Sequence, residues 1–278
     1  MKREQLAINS VSTAWPGLYA ALDAYRKAGF RNVELPLNHL KGEMEKGKKV
    51  CDLKAAFDSR GMKCIGGFET ELKCFGTPEQ MVVNLATIVA NARLLGEMGA
   101  GALVVGTDGP AEKVADPVGT IAKRVATAAS IVKGTGVSIL LEFNWSPVIK
   151  SLRTAVEAAR RSGARNTGVI FDTAHYHCTP TKFDQLNREN VKWVKHVHLN
   201  DMRDKPGELS NCNADRVLPG KGILDLKAII ARLEECGYKG LFAIELFNEE
   251  LWKMPVGKSA PLMMKSLLPY CGGKSRRR

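Results

Sequence analysis

Nowhere in the 278-residue chain is there an apolar run near the roughly 20 residues a membrane-spanning helix needs, so no membrane partner is expected. The first thirty residues lack an uninterrupted apolar core of signal-peptide length, and Arg26, Lys27 and Arg31 follow a helix-like run instead of preceding one. The seven cysteines (Cys51, Cys64, Cys74, Cys178, Cys212, Cys236 and Cys271) are scattered and contain no C-x-x-C pair, which removes the usual sign of a zinc knuckle or redox pair. A reducing, cytoplasmic setting is the simplest expectation. No Walker loop or G-x-G-x-x-G occurs, so no phosphate cradle is predicted. No Pro/Gly/Ser-rich linker divides the chain, and a chain of this length fits one α/β barrel.

What is abundant is positive charge, with 41 basic against 29 acidic side chains and a net charge of +12. Such a balance invites a nucleic-acid partner, but its distribution argues against one. Lys274, Arg276, Arg277 and Arg278 form a tail after Gly272-Gly273, and Lys46, Lys48 and Lys49 sit in a polar connection, as solvated ends and loops commonly do. The expected organisation is one domain over residues 1–271 followed by a basic tail at 272–278.

The body of the chain alternates short β-branched apolar runs with ten to twenty residues of helical periodicity. Strands are predicted at 6–10, 32–36, 63–68, 102–107, 137–144, 167–173, 194–201 and 241–248, and helices at 78–98, 117–133, 148–162 and 224–236 among others. Helix ends repeatedly read Gly-Phe, Gly-Ala, Gly-Val or Gly-Tyr (Gly29, Gly99, Gly136, Gly237), the mark of a recurring αβ junction. Eight βα units predict a (β/α)8 barrel, with an open doubly wound sheet as the alternative that pattern alone leaves standing. One long irregular segment, 202–222, falls between the seventh strand and its helix, and on a barrel it would overhang the catalytic face.

Four strand ends carry polar residues that do not belong in an apolar core: Glu142 in LLEFN, Asp172 in VIFDTAH, His198 in HVHLND and Glu245 in AIELFN. Consecutive strand ends in a barrel are neighbours on one rim, so these four can converge. Three carboxylates held together repel unless a cation sits among them. The oxygen-rich set with one imidazole suits a divalent metal, Mn²⁺ first, with Co²⁺, Mg²⁺ or Zn²⁺ as alternatives.

Those motifs, together with DRVLPGKGILDL and IELFNEELWK, resemble the xylose-isomerase-like barrel superfamily over essentially the whole chain, with wording most like 2-keto-myo-inositol isomerase and its relatives. The resemblance implies that Glu142, Asp172, His198 and Glu245 bind the metal and that the two glutamates flank the reacting carbons. It implies proton abstraction beside a carbonyl, an enediolate, and proton return as isomerisation or epimerisation of an unphosphorylated keto-sugar or cyclitol. A lyase of the same superfamily, a dehydratase or an enzyme eliminating from a 3-oxo-glycoside, shares that first step. A homo-oligomer is compatible with all of these.

Further candidates are His175, Arg216, Glu34 and Trp15 for substrate contact, with Phe68, Trp145, Phe247 and Trp252 as pocket walls, while His196 reads as a core histidine one layer below His198. The superfamily's apurinic endonucleases need a three-metal cluster rich in histidine. Here there are five histidines, none at the ends of strands three and four, and Asp215-Arg216-Val217 carries valine where that class has a ligand. A nucleic-acid enzyme is therefore not expected.

Overall fold

The computed structural model describes residues 1–144 and 146–272, so Trp145 and the tail residues Lys274, Arg276, Arg277 and Arg278 lie outside the described residues. The strands are β1 (Leu6–Asn9), β2 (Asn32–Pro36), β3 (Lys63–Phe68), β4 (Ala102–Val105), β5 (Ser138–Glu142), β6 (Thr167–Asp172), β7 (Val194–Leu199), β8 (Asp201–Met202), β9 (Arg216–Val217) and β10 (Phe242–Ile244). β1 to β7 and β10 pair in parallel and close into a barrel in chain order, which excludes the open doubly wound sheet. β8 and β9 form an antiparallel ribbon within the segment expected to be irregular. Around the barrel lie α1 (Leu18–Ala28), α2 (Leu37–Glu45), α3 (Val50–Asp58), α4 (Pro78–Glu97), α5 (Pro117–Val132), α6 (Leu152–Ser162), α7 (Thr173–Cys178), α8 (Arg188–Val191), α9 (Leu226–Glu235), α10 (Glu249–Trp252) and α11 (Val256–Leu267). Among the described residues no helix is long and apolar enough to cross a membrane.

Local chemistry sets these boundaries. Thr77 and Asp116 accept the backbone N–H groups of Gln80 and Gly119, and Pro78 and Pro117 follow them at the first helical position. The helix expected from 148 begins at Leu152 instead, because the Ser151 hydroxyl caps Thr154 N–H while Ser146 Oγ takes the N–H groups of Val148 and Ile149 into a turn. At the end of α1, Gly29 adopts φ 105°, and Phe30 N–H donates to Tyr25 O at 3.0 Å. That left-handed turn favours glycine, and it drops Phe30 into the core. The same junction recurs after α4 and α9, where Ala100 N–H reaches Leu95 O and Tyr238 N–H reaches Leu233 O.

Alternation along each strand sorts its side chains onto two faces. Ile139, Leu141, Val169, Phe171, Val197, Leu199, Phe242 and Ile244 belong to the large core beneath the helices. The intervening residues face the lumen, where Val104, Leu140 and Ile170 form a small apolar cluster with Phe68 and Ala102. The lumen positions of β1, β2 and β7 are instead the buried polar residues Asn9, Glu34, His196 and His198.

Candidate active site

The four strand-end residues come together at the C-terminal mouth of the barrel. Asp172 commits one oxygen to structure: Oδ1 accepts the N–H groups of Ala174 and His175 at the start of α7 and the Asn200 amide at 3.2 Å. Its other oxygen, Oδ2, faces the cluster 3.6 Å from His198 Nδ1. Glu245 divides likewise, with Oε1 accepting from Asn9 Nδ2 at 2.9 Å and Oε2 lying 3.0 Å from His198 Nδ1. Glu142 Oε1 approaches the same nitrogen to 4.0 Å. One ligating atom each from Glu142, Asp172 and His198 falls within 4.8 Å of the others, and Glu245 Oε2 stands beside them.

Asp172 Oδ2 and His198 Nδ1 are buried and make no well-formed hydrogen bond among the described residues. Polar atoms so placed are costly unless something satisfies them. Three carboxylates and an imidazole gathered at one point, two of them with an unsatisfied buried atom, fit a divalent cation.

The charges are strongly coupled. Burial pushes the Glu142 carboxyl up to about 8, and Glu245 and Asp172 add to the rise. Burial would also raise Asp172, but Arg216, His175 and His198 hold it well below the ordinary carboxylate range. Burial disfavours a charged His198, yet Glu245 and Glu34 raise its basicity well above that of a free imidazole. Burial takes His175 the other way, down to about 4.

Arg216 is the surprise. It was expected to reach from an overhanging loop toward substrate, but its side chain is 1% exposed and enters the cluster itself. Nη1 donates to Glu245 Oε2 at 2.6 Å, Nη2 lies 3.1 Å from Asp172 Oδ2 and donates to His175 Nε2 at 3.2 Å, and the guanidinium stands 5.1 Å from the Phe247 ring centre. β9 carries it in register with Met202, and Asn248 Nδ2 holds its backbone carbonyl. The loop's base is gathered by Asp201, whose carboxylate accepts the backbone N–H groups of Met202, Gly220, Gly222 and Leu224. Arg216 helps line a cavity of about 170 Å³, whose other polar lining is Glu142, His198 and Glu245 and whose apolar wall is Phe68, Val104 and Phe247.

Glu34 and His175 are placed differently from expectation. Glu34 does not meet the cavity. It is fully buried beneath His198, and its Oε2 accepts from His198 Nε2 at 2.6 Å, His196 Nε2 at 3.1 Å and Asn9 Nδ2 at 3.1 Å. Against the penalty of burial, the two histidines hold its carboxyl well below the usual range. His175 is also fully buried, with Nδ1 3.6 Å from Glu142 Oε1, and backs the cluster instead of lining the cavity. Trp15 stacks on His39 at 3.7 Å, which covers one of its faces. Trp252 donates to Val11 O and meets Phe247 edge-on. His177 ties α7 to the loop through Lys205 O. Sequence reasoning missed Asn9, which bridges Glu34 and Glu245, and Asn200, which orients Asp172, although both close an apolar strand as the four expected residues do.

Comparison with known proteins agrees with this architecture. The chain is 32% identical over 129 residues to the inosose isomerase of Bacillus velezensis and 28% identical over 132 residues to the inosose dehydratase of Serratia proteamaculans. These stretches cover 45% and 42% of this chain, and 45% and 43% of those proteins, so the chain spans under half the length of the curated relatives it matches. The crystal structure of the IOLI protein with a bound zinc atom superposes with a TM-score of 0.86 at 21% identity, covering 96% of this chain and 97% of that one. With eight parallel strands closed in order, and with residues 22–267 matching the family's model, the chain belongs to the xylose isomerase-like TIM barrel family.

Proposed function

We propose that the protein is a divalent-metal-dependent isomerase or epimerase of an unphosphorylated keto-sugar or keto-inositol. The observation that carries this reading is the pairing of Glu142 and Glu245 on the wall of one small cavity, with Asp172 and His198 completing a cation-binding set beside them. Glu142, Asp172, His198 and Glu245 would hold the metal, Mn²⁺ first, with Zn²⁺ supported by the relative that binds it. When bound, such an ion supplies a Lewis acid that stabilises negative charge developing on adjacent carbonyl and hydroxyl oxygens.

The chain's own groups do the rest. Glu142 and Glu245 come from β5 and from the end of β10, with β6 and β7 between them around the rim, so a substrate between them presents its C–H to one carboxylate and its neighbouring carbon or opposite face to the other. Phe68, Val104 and Phe247 offer apolar surface to the ring and keep water from the reacting carbons. Arg216, whose N–H groups are taken by Cys212 O, Glu245, Asp172 and His175, lines the cavity and would set its fixed positive charge beside the developing oxyanion. Return of the proton to the adjacent carbon gives isomerisation, and return to the other face of the same carbon gives epimerisation.

The similarity to an inosose dehydratase favours one second reading, in which the enediolate expels a hydroxyl group as water. Incubating the Mn²⁺-loaded enzyme in D₂O with a panel of inososes, keto-sugars and 3-oxo-glycosides separates the two. The proposed activity gives an isomer or epimer carrying solvent deuterium beside the carbonyl, whereas a dehydratase gives an unsaturated or dicarbonyl product. No turnover of any panel member with metal loaded, or hydride transfer without exchange, would remove the proposal.

A further inference from the structure

We infer that Glu34 is a positioning residue for His198, fixing the imidazole so that Nδ1, not Nε2, is the atom offered to the metal. The inference rests on the proposed metal site and concerns a residue outside its four ligands. Glu34 is fully buried, and a single oxygen, Oε2, receives three N–H groups, with the His198 Nε2 contact at 2.6 Å the shortest. A carboxylate held this way commits Nε2 as a donor, which leaves Nδ1 as the available lone pair in a neutral ring.

Nδ1 is the nitrogen aimed at the cluster, 3.0 Å from Glu245 Oε2, 3.6 Å from Asp172 Oδ2 and 4.0 Å from Glu142 Oε1. Turning the ring over would set carbon against Glu34 Oε2 and remove the shortest of its three buried hydrogen bonds, a costly exchange in this interior. His196 reinforces the arrangement: it reaches the same oxygen from two residues earlier on β7, and its ring stands edge-on to His198 with centres 5.2 Å apart. Asn9 extends the grip to a second ligand, since its one amide nitrogen donates to both Glu34 Oε2 and Glu245 Oε1.

Glu34, His196 and His198 also bring ligating atoms within 4.8 Å of one another and so resemble a second metal site. Their geometry speaks for hydrogen bonding instead: both histidines point a ring nitrogen at the same oxygen at hydrogen-bond distance, and only one carboxylate is present. Carboxylates that orient metal-binding histidines typically contribute 10- to 100-fold in metal affinity.

The test compares the wild type with Glu34→Gln by zinc-binding calorimetry, by the visible spectrum of the cobalt-substituted protein and by metal-free melting. Long-range ¹⁵N–¹H spectra of the zinc-loaded wild type assign the His198 tautomer. One zinc per wild-type chain, a proton on Nε2 with Nδ1 bound to zinc, a changed cobalt spectrum and affinity about 10- to 100-fold weaker in Glu34→Gln are expected. If the wild type binds zinc and Glu34→Gln matches it in affinity and cobalt spectrum, the positioning role is overturned while the metal site stands. Zinc on His198 Nε2, or two zinc ions per chain with one lost in Glu34→Gln, overturns it as well. A wild type that binds no zinc or cobalt overturns both this inference and the proposed function. Should Glu34→Gln fail to fold, the wild-type tautomer decides.

Discussion

The two sides of the barrel lumen are made of opposite materials. Along β4, β5 and β6 the lumen is aliphatic, with Val104, Leu140 and Ile170 in contact, while along β7, β1 and β2 it holds His196 and Asn9, both hydrogen-bonded to Glu34. The boundary is sharp, because Ile170 and His196 are direct neighbours in the β6–β7 ladder. The aliphatic side can be filled by any shape that packs, whereas each polar atom on the other side needs a partner at a fixed distance. Both sides support the same rim of carboxylates, one by apolar packing and the other through hydrogen bonds from Glu34 to His198 and from Asn9 to Glu245.

Substitutions on each side and at the rim can break or sharpen that contrast. The largest effect belongs to Asp172→Asn, which retains the oxygen that caps α7 but loses the charge facing the cluster; metal content by elemental analysis and turnover should both vanish. Chelation of the wild type should lower its melting temperature, since an ion bound only by the folded state stabilises it. Glu142→Gln and Glu245→Gln should each lose about 10²-fold or more in rate while at least one retains metal. Normal turnover in both would refute the proton-transfer pair.

Arg216→Ala comes next. It strips Asp172 and Glu245 of their buried counter-ion, and breaking such a pair costs about 3–5 kcal/mol. Denaturant melts should show that loss in metal-free protein and a smaller one with metal loaded, where the ion takes over the neutralisation; equal losses would contradict the shared-charge picture. On the aliphatic side, Leu140→Ala should cost about 2–5 kcal/mol through the cavity it leaves, with zinc affinity unchanged. Ile170→Val, at the seam, should cost only about 0.5–1.5 kcal/mol, and a larger change accompanied by altered zinc binding would show that the two sides are coupled.

Much of the barrel was readable from the chain because its junctions repeat. Gly29-Phe30 and Gly237-Tyr238 each combine a residue that tolerates a left-handed turn with one that plugs the core, and this pair marks where helix yields to strand. The four rim residues stood out because each ends an apolar run with a group that burial penalises. Depth was not readable. Two-residue alternation places Glu34 on the lumen face, but how far below the mouth it sits depends on the stagger of the closed barrel. Nor could Arg216 be placed, since its path into the cluster is set by a ribbon pairing of only two residues on each strand, too short to leave a pattern. The overlong strands expected at 137–144 and 241–248 have a simpler cause: Phe143, Leu246 and Phe247 continue the apolar pattern after the chain has left the ladder at Glu142 and Ile244, and Asn144 turns with φ 93°.

Asp201 has an evolutionary consequence. Its carboxylate receives N–H groups from both ends of the segment that carries Arg216, so the two ends are clasped whatever lies between them. The entropy of closing a loop grows only slowly with added length once its ends are joined. Changes of length at the exposed Glu208 and Leu209 therefore fall between held ends, whereas Gly207 is fixed, because a Cβ there would run into His177 O. Variation there leaves the barrel strands whose ends carry Glu142, Asp172, His198 and Glu245 in place.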